Sequence, residues 1–359
     1  MKVATIVGAR PQFIKAAPVS RALAEGHHEE VLIHTGQHYD TDMSDVFFAE
    51  LPIPTPSVNL EVGSSTPGRQ TGEILIRVEE VLAAAVPRPD WVLVYGDTNS
   101  TLGGALAARK CGISLAHIEA GLRSFNPAMP EEHNRVLVDH CSQRLFCPTR
   151  TAVENLAAEG IATGVHQVGD TMLDAVLQFS DLARERSTIL RRLGLERGGY
   201  LLATIHRNYN TDDPGALARL VGALESLGEA VVFPVHPRTR KELEKLPAFS
   251  PRNLRPIEPV AYLDMLELEA HARGILTDSG GMQKEAFFLG VPCVTLRPET
   301  EWVETVASGW NTLTGSDPDR LRAAVASLER PPERPADLFG AGDAAAQIVR
   351  RLAASGSAG

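Results

Sequence analysis

Residues 275–286 spell Ile-Leu-Thr-Asp-Ser-Gly-Gly-Met-Gln-Lys-Glu-Ala. The run from Arg273 to Thr277 is short and apolar enough to be a strand. Asp278, Ser279, Gly280 and Gly281 then read as a tight turn, and Met282 to Leu289 suits a helix that Gly290 and Pro292 stop. A strand, a Ser-Gly-Gly turn and a helix together offer backbone N–H groups and the positive end of a helix dipole, which fit a phosphate or diphosphate. Glycine at two turn positions removes the Cβ atoms that would hold such a group away from the backbone. Glu285, one turn into the helix, is placed to accept hydrogen bonds from ribose hydroxyls beyond the phosphates. The competing reading is an ordinary connection capped by Asp278 or Ser279.

The rest of the chain has the same rhythm of strand, turn and helix. Lys2–Val7 is a β-branched strand, Gly8 to Gln12 makes the turn, and a helix follows from about Gln12 to Glu25 with Pro11 near its first turn. Val31–Thr35, Trp91–Tyr95 and Ile113–His117 are further apolar strands. After a helical stretch from Met172 and a connection over Arg191–Gly199, Tyr200–Thr204, Ala230–Val235, Gly274–Leu276 and Val291–Leu296 repeat the pattern. Strands separated by helices indicate doubly wound parallel sheets, whose ligands sit at the carboxyl ends of the strands. The expected fold class is α/β: two Rossmann-like doubly wound domains, 1–169 and 170–340, facing a cleft. An amphipathic last helix over 341–355 is expected to pack back on the first domain.

Composition sets limits. The 359 residues are 43% hydrophobic and 22% charged, ordinary for a globular protein of two domains. A formal net charge of −10 argues against nucleic acid as a partner. Cys111, Cys141, Cys147 and Cys293 show no CxxC spacing and read as reduced thiols. The start, MKVATIVGARPQF, enters a strand and reaches Arg10 too early for a signal peptide, and no apolar run approaches the roughly 18–20 residues of a membrane span. A cytoplasmic location, with no membrane partner, is expected. The tail after Ala353 is small and polar and expected to fray.

The chemistry-bearing residues fall at strand ends. Arg10 and Lys15 flank the first turn of the first helix, a helix start where solvated cations are disfavoured and a bound anion is not. No GxGxxG follows this strand and no GxxxxGK[ST] occurs, so neither a dinucleotide nor a P-loop nucleotide is expected. His34 and His38 have a metal-like spacing without a third ligand, and no metal site is assigned. Asp97 ends the Trp91–Tyr95 strand, Glu119 follows Ile113–His117, and Glu131 opens a helix after Pro130. Each alone reads as a cap or as an ion-pair partner of Arg123 or Arg135. Together, near Arg10, they suit an acid/base set whose ionisation burial and neighbours separate. His206 directly follows a strand, and a protonated imidazole there suits developing charge on a leaving phosphate.

GARPQFIKAAPV, GDTNSTL, HIEAGLRS, MPEEHNR and TDSGGMQKEA, in this order and spacing, resemble the non-hydrolysing UDP-N-acetylglucosamine 2-epimerases over nearly the whole chain. The resemblance implies the paired-domain fold shared with glycosyltransferases (glycosyltransferase-B-like), a UDP-sugar substrate and a homodimer. It also implies catalytic roles for Asp97, Glu119, Glu131 and His206. Substrate binding by Arg10, Lys15, Ser279, Gly280, Gly281 and Glu285 is implied too, with uracil held at Pro259–Met265, including Met265. The implied reaction inverts C2 of a sugar bearing a 2-acetamido group. That C2–H has no neighbouring carbonyl to acidify it, so direct proton exchange faces a prohibitive barrier. Expelling UDP from C1 while a carboxylate takes the C2 proton gives a 2-acetamidoglucal. A carboxylic acid on the other face then reprotonates C2 as UDP returns. This route needs no cofactor, and none is signalled.

The chain departs from the family's usual pattern at three places. Tyr209 stands where a Glu usually follows the His-Arg pair, Lys284 replaces an acidic residue, and Trp302-Val303 replaces Arg-Pro. GARPQF, TGQHYD, GDTNST, GLRSFN and TEWVET resemble a branch that includes epimerases of UDP-2,3-diacetamido-2,3-dideoxy-glucuronate, the alternative substrate. Some relatives bind an activating second UDP-sugar near segments matching Gln37, His38 and His236, a control not assigned to this chain. A glycosyltransferase, a hydrolysing epimerase and a non-catalytic UDP-sugar sensor are the rival classes.

Overall fold

The computed structural model describes residues 1–36, 51, 53–245, 252–331 and 333–355. They form two units, Met1–Gln178 with Ala336–Gly359, and Phe179–Pro335. The first unit holds strands β1 (Lys2–Val7), β2 (Glu29–His34), β3 (Val58–Asn59), β4 (Trp91–Tyr95), β5 (Ser114–Ile118), β6 (Arg144–Cys147) and β7 (Val165–Gln167). They form a parallel sheet in the order β3-β2-β1-β4-β5-β6-β7. All of β4 is buried, as a continuous apolar run covered by helices on both faces must be. The chain winds outward from β1 to β3, then returns to lay β4 against β1, with Val3 opposite Trp91 and Ile6 opposite Val94. That reversal opens a crevice at the carboxyl ends of β1 and β4.

The second unit repeats the plan with β8 (Leu201–Thr204), β9 (Val231–Pro234), β10 (Leu254–Ile257), β11 (Gly274–Thr277), β12 (Cys293–Thr295) and β13 (Asn311–Leu313). Its order is β10-β9-β8-β11-β12-β13, again parallel, so its reversal lies between β8 and β11. Successive residues of a strand face opposite ways. Leu201, Ala203, Phe233 and Leu276 therefore build one core with Leu217, Leu220 and Leu224. Tyr200, Leu202, Val232 and Ile275 build the other with Leu268, Met282 and Ala286.

Two helix starts differ from the sequence expectation. Helix α1 spans Arg10–Glu25 and so takes Arg10 into its first turn. The helix after the Ser-Gly-Gly turn runs Gly280–Leu289, so both glycines are already helical. The reason is Asp278: its carboxylate turns back to accept the N–H groups of His206 and Arg207. Ser279 is left as the N-cap, its Oγ accepting the Met282 N–H at 3.4 Å.

The last helix, Ala344–Ser355, lies in the first unit and packs on α1. Its Ala344 and Ala345 N–H groups donate to Asp174 at 3.2 and 2.8 Å. Among the described residues no helix is long and apolar enough to cross a membrane.

Candidate functional site

At the crevice of the first unit, the turn after β1 is held by Gln12. Its Oε1 accepts the N–H groups of Gly8 and Ala9, at 2.8 and 3.0 Å. Its Nε2 donates to the Tyr95 carbonyl at 2.7 Å, tying the end of β1 to the end of β4. Those two backbone donors are thereby engaged, so positive charge here comes from Arg10 and from Lys15, one turn further on. Lys15 Nζ forms an ion pair with Glu119 Oε2, and both side chains are largely buried.

Glu119 follows β5 in a left-handed conformation, φ 72°. A non-glycine residue held there stores about 1–3 kcal/mol of strain and persists only where its surroundings fix it. The fixing is visible: the Glu119 and Ala120 N–H groups both donate to the Phe146 carbonyl at 3.1 Å. The Lys15–Glu119 pair lies against Gly96. A Cβ on Gly96 would sit 3.2 Å from Glu119 Oε2 and 3.7 Å from Lys15 Nζ.

Asp97 comes next in the chain. Its carboxylate pairs with Arg135, whose other arm donates to Glu132 Oε2 at 2.6 Å. Its carbonyl accepts from Asn134 Nδ2 at 2.8 Å. Arg135, Asn134, Glu132 and Glu131 all belong to the helix Pro130–Cys141. The two adjacent glutamates divide their tasks. Glu132 is buried and accepts the Ser124 N–H, Ser124 Oγ and Phe125 N–H. Burial alone would raise its carboxyl, but these donors and Arg135 outweigh burial and hold it below the usual range. Glu131 stays partly exposed in the first turn. Asp97 and Glu119 are thus brought together around Gly96, and Glu131 lies one residue from the Glu132–Arg135–Asp97 chain.

At the crevice of the second unit, His206 follows β8 and its Nδ1 lies 3.1 Å from Asp278 Oδ1. Asp278 has no solvent exposure and also accepts from Asn210 Nδ2 at 3.0 Å. Burial alone would raise the Asp278 carboxyl. The His206 imidazole and the Asn210 and Arg207 donors outweigh it and hold the group below its usual range. A carboxylate on Nδ1 fixes that nitrogen as a donor, which leaves Nε2 to give or take a proton.

Beside it, the protein itself requires glycine at 280, where a Cβ would lie 2.5 Å from Glu301 Oε1. Glu301 is fixed in turn by Arg297, whose Nη2 donates to Oε2 at 2.8 Å. At Gly281 the nearest atom to a Cβ would be Ser279 Oγ at 3.9 Å, so the space there is open to a ligand. Glu285 Oε1 accepts from Tyr262 Oη at 2.9 Å, on the helix Tyr262–His271 that also carries Met265. Met265 packs, partly buried, against the core on that face.

Two of the departing residues touch each other. Lys284 is fully buried with Nζ 3.9 Å from the centre of the Trp302 ring, a cation–π contact. Tyr209 is half exposed on the short helix Asn208–Thr211. His34 is buried edge-on against Phe13, and Gln37 and His38 lie outside the described residues.

Gln12 and Asp278 were not singled out from sequence as residues that organise a site. Their signal, a polar side chain at a strand end beside a candidate loop, is real but common. Only the pairing of β1 with β4, and of β8 with β11, gives each its partners.

Comparison with known proteins places the whole chain. The family profile described as UDP-N-acetylglucosamine 2-epimerase matches residues 21–353. A Methanococcus maripaludis protein described as a UDP-N-acetylglucosamine 2-epimerase homolog is 52% identical over 357 residues, covering 98% of this chain and 99% of that protein. The UDP-2,3-diacetamido-2,3-dideoxy-D-glucuronate 2-epimerase of Pseudomonas aeruginosa is 47% identical over 362 residues, covering 98% and 99%. The crystal structure of Methanocaldococcus jannaschii UDP-GlcNAc 2-epimerase in complex with UDP-GlcNAc and UDP matches with a TM-score of 0.92 at 43% identity. It covers 99% of this chain and 100% of that one.

Proposed function

The chain belongs to the UDP-N-acetylglucosamine 2-epimerase family and is an isomerase, and from that membership we propose that it interconverts UDP-N-acetylglucosamine and UDP-N-acetylmannosamine. In this reading the diphosphate is bound by Arg10, Lys15 and the Ser279-Gly280-Gly281 turn. Glu285 and the Pro259–Met265 segment bind the nucleoside. The C1–O bond to UDP breaks as a carboxylate of the Asp97, Glu119 and Glu131 set removes the C2 proton, leaving C1=C2 in a 2-acetamidoglucal. His206, oriented by Asp278, stabilises the departing diphosphate. A carboxylic acid of the same set then protonates C2 on the opposite face while the UDP oxygen re-forms the bond to C1. No proton or electron is gained or lost over the cycle.

The observation that carries this reading is that in each unit the candidate residues gather at the reversal point of the strand order. Gly96, Asp97 and the Lys15–Glu119 pair gather there in one, His206, Asp278 and the glycine turn in the other. A homodimeric, cytoplasmic enzyme is part of the same reading, and sedimentation analysis checks the dimer.

The test is proton NMR of the purified enzyme in D2O with UDP-N-acetylglucosamine. The manno epimer should appear with deuterium at C2 and with UDP still attached. Release of free sugar would instead identify a hydrolysing enzyme. The 47% identity to the Pseudomonas aeruginosa enzyme favours UDP-2,3-diacetamido-2,3-dideoxy-glucuronate as the second substrate to try. Silence with both would sink the epimerase reading.

A further inference from the structure

His117, the penultimate residue of β5, has no solvent exposure and no part in the reaction described above. Its Nε2 lies 2.7 Å from the Gly96 carbonyl oxygen and its Nδ1 2.7 Å from Asp139 Oδ1. A carbonyl oxygen only accepts, so Nε2 carries a proton. Asp139 Oδ2 already accepts the Gly121 N–H at 3.1 Å and Arg123 Nη1 at 2.7 Å. The Arg123 guanidinium, donating to Oδ2, works against the burial that would raise the Asp139 carboxyl and favours its ionised form. An ionised carboxylate also only accepts, so Nδ1 carries a proton too. A ring that donates from both nitrogens is an imidazolium. Its charge is matched locally, because Arg123 also forms a two-armed pair with Glu159 at 2.6 and 2.7 Å. Two cations therefore face two carboxylates.

We propose that His117 is a positioning residue, a buried imidazolium that clamps Gly96 to Asp139 and so holds Asp97 and Glu119 in register. Gly96 immediately precedes Asp97, and its own N–H donates to the Ile118 carbonyl at 3.0 Å. Asp139 fixes Gly121 and Arg123, the far side of the turn in which Glu119 adopts its left-handed conformation. One ring thus spans the two strand ends from which both carboxylates project. The kinetic side of this proposal rests on the epimerase reading; the charge state and the clamp do not.

Nitrogen-15 NMR of the full-length enzyme with labelled histidine tests the charge. Two protonated ring nitrogens are expected for the resonances that vanish in H117Q, and an unprotonated one would overturn the proposal. The carboxylate carbon resonances of both Asp97 and Glu119 should move in H117Q, and movement of only one, or neither, would also overturn it. In the epimerase assay, H117Q and D139N should each lower kcat about 10²-fold, the effect of a misplacement of about 1 Å, with KM changed less than about twofold. The double variant should lose no more than the worse single one, and multiplicative losses would break the clamp. Unchanged UDP binding by calorimetry identifies the variants as folded. A wild-type enzyme inactive on every UDP-sugar tried would remove the epimerase reading, while the nitrogen and carbon spectra would still decide the clamp.

Discussion

Asp278, itself without solvent exposure, is acceptor to the His206 and Arg207 N–H groups, to Asn210 Nδ2 and to the His206 ring. In D278N one of the two oxygens becomes an NH2 group facing those donors. The cost expected for the second unit is about 2–3 kcal/mol of unfolding free energy, read by urea denaturation. Losing the group that orients His206 should also lower kcat about 10²-fold. The effect on stability depends on pH with a definite sign. Asp278 is held below its usual 3.8 in the folded chain. The unfolded chain therefore takes up a proton first as the solution is acidified. The stabilisation is complete above about pH 4 and disappears as pH falls through the lower, folded value. The gap in stability between wild type and D278N should accordingly be constant from neutral pH to about pH 4 and close below it. A gap that persists unchanged into stronger acid would mean that the carboxylate is not the source of the stabilisation.

At the scale of elements, the helix Gly280–Leu289 meets the turn before Val303–Ala307 through Lys284 and Trp302. The two positions depart from the family's usual acid and Arg-Pro, and their contact makes them one coupled exchange. In K284E a carboxylate faces the electron-rich side of the indole in a buried place, and a loss of about 2 kcal/mol or more is expected. W302R alone sets a second cation beside Lys284 and should also destabilise. The double variant K284E/W302R restores an opposite-charge pair and should recover at least half the sum of the single losses. Denaturation of the four proteins measures this coupling directly, and additive losses would separate the two positions.

Sequence reached some of this and missed the rest for physical reasons. β4 was legible because a strand buried on both faces is a continuous apolar run, and the passage from strand to helix at Ser279 because its composition is restrictive. The start of that helix was misjudged because Asp278 bonds to residues more than seventy positions away, not to its own helix. For the same reason no local pattern separates Glu132, buried under Ser124 and Phe125, from Glu131, or joins His117 to Gly96. The positions of Asp97, Glu119, Glu131 and His206 at element ends were readable, but not the ion pairs and hydrogen bonds that fix them.

At the scale of the whole molecule, the proposed site sets Arg10 and Lys15 locally against an anionic nucleotide, despite a net charge of −10. A ligand that binds only the folded state adds about 2.7 kcal/mol at a hundred times its dissociation constant. UDP alone should therefore raise the melting temperature and slow amide exchange over residues 279–286. An enzyme whose melting and exchange ignore saturating UDP would lack the assigned nucleotide site.

The division of the chain has a consequence for its synthesis. The first unit is built from two separate stretches of the chain, with the helix Ala344–Ser355 seated on α1 and held by Asp174, while the second is one uninterrupted stretch. During translation, which delivers the N-terminus first, Asp97, Glu119 and Glu131 are made early. Their unit waits for the helix Ala344–Ser355, made after the whole of the second unit, so the second unit can close before it. A stop codon just beyond Pro335 would spare every residue of the second unit and leave the first without the helix that seats on α1.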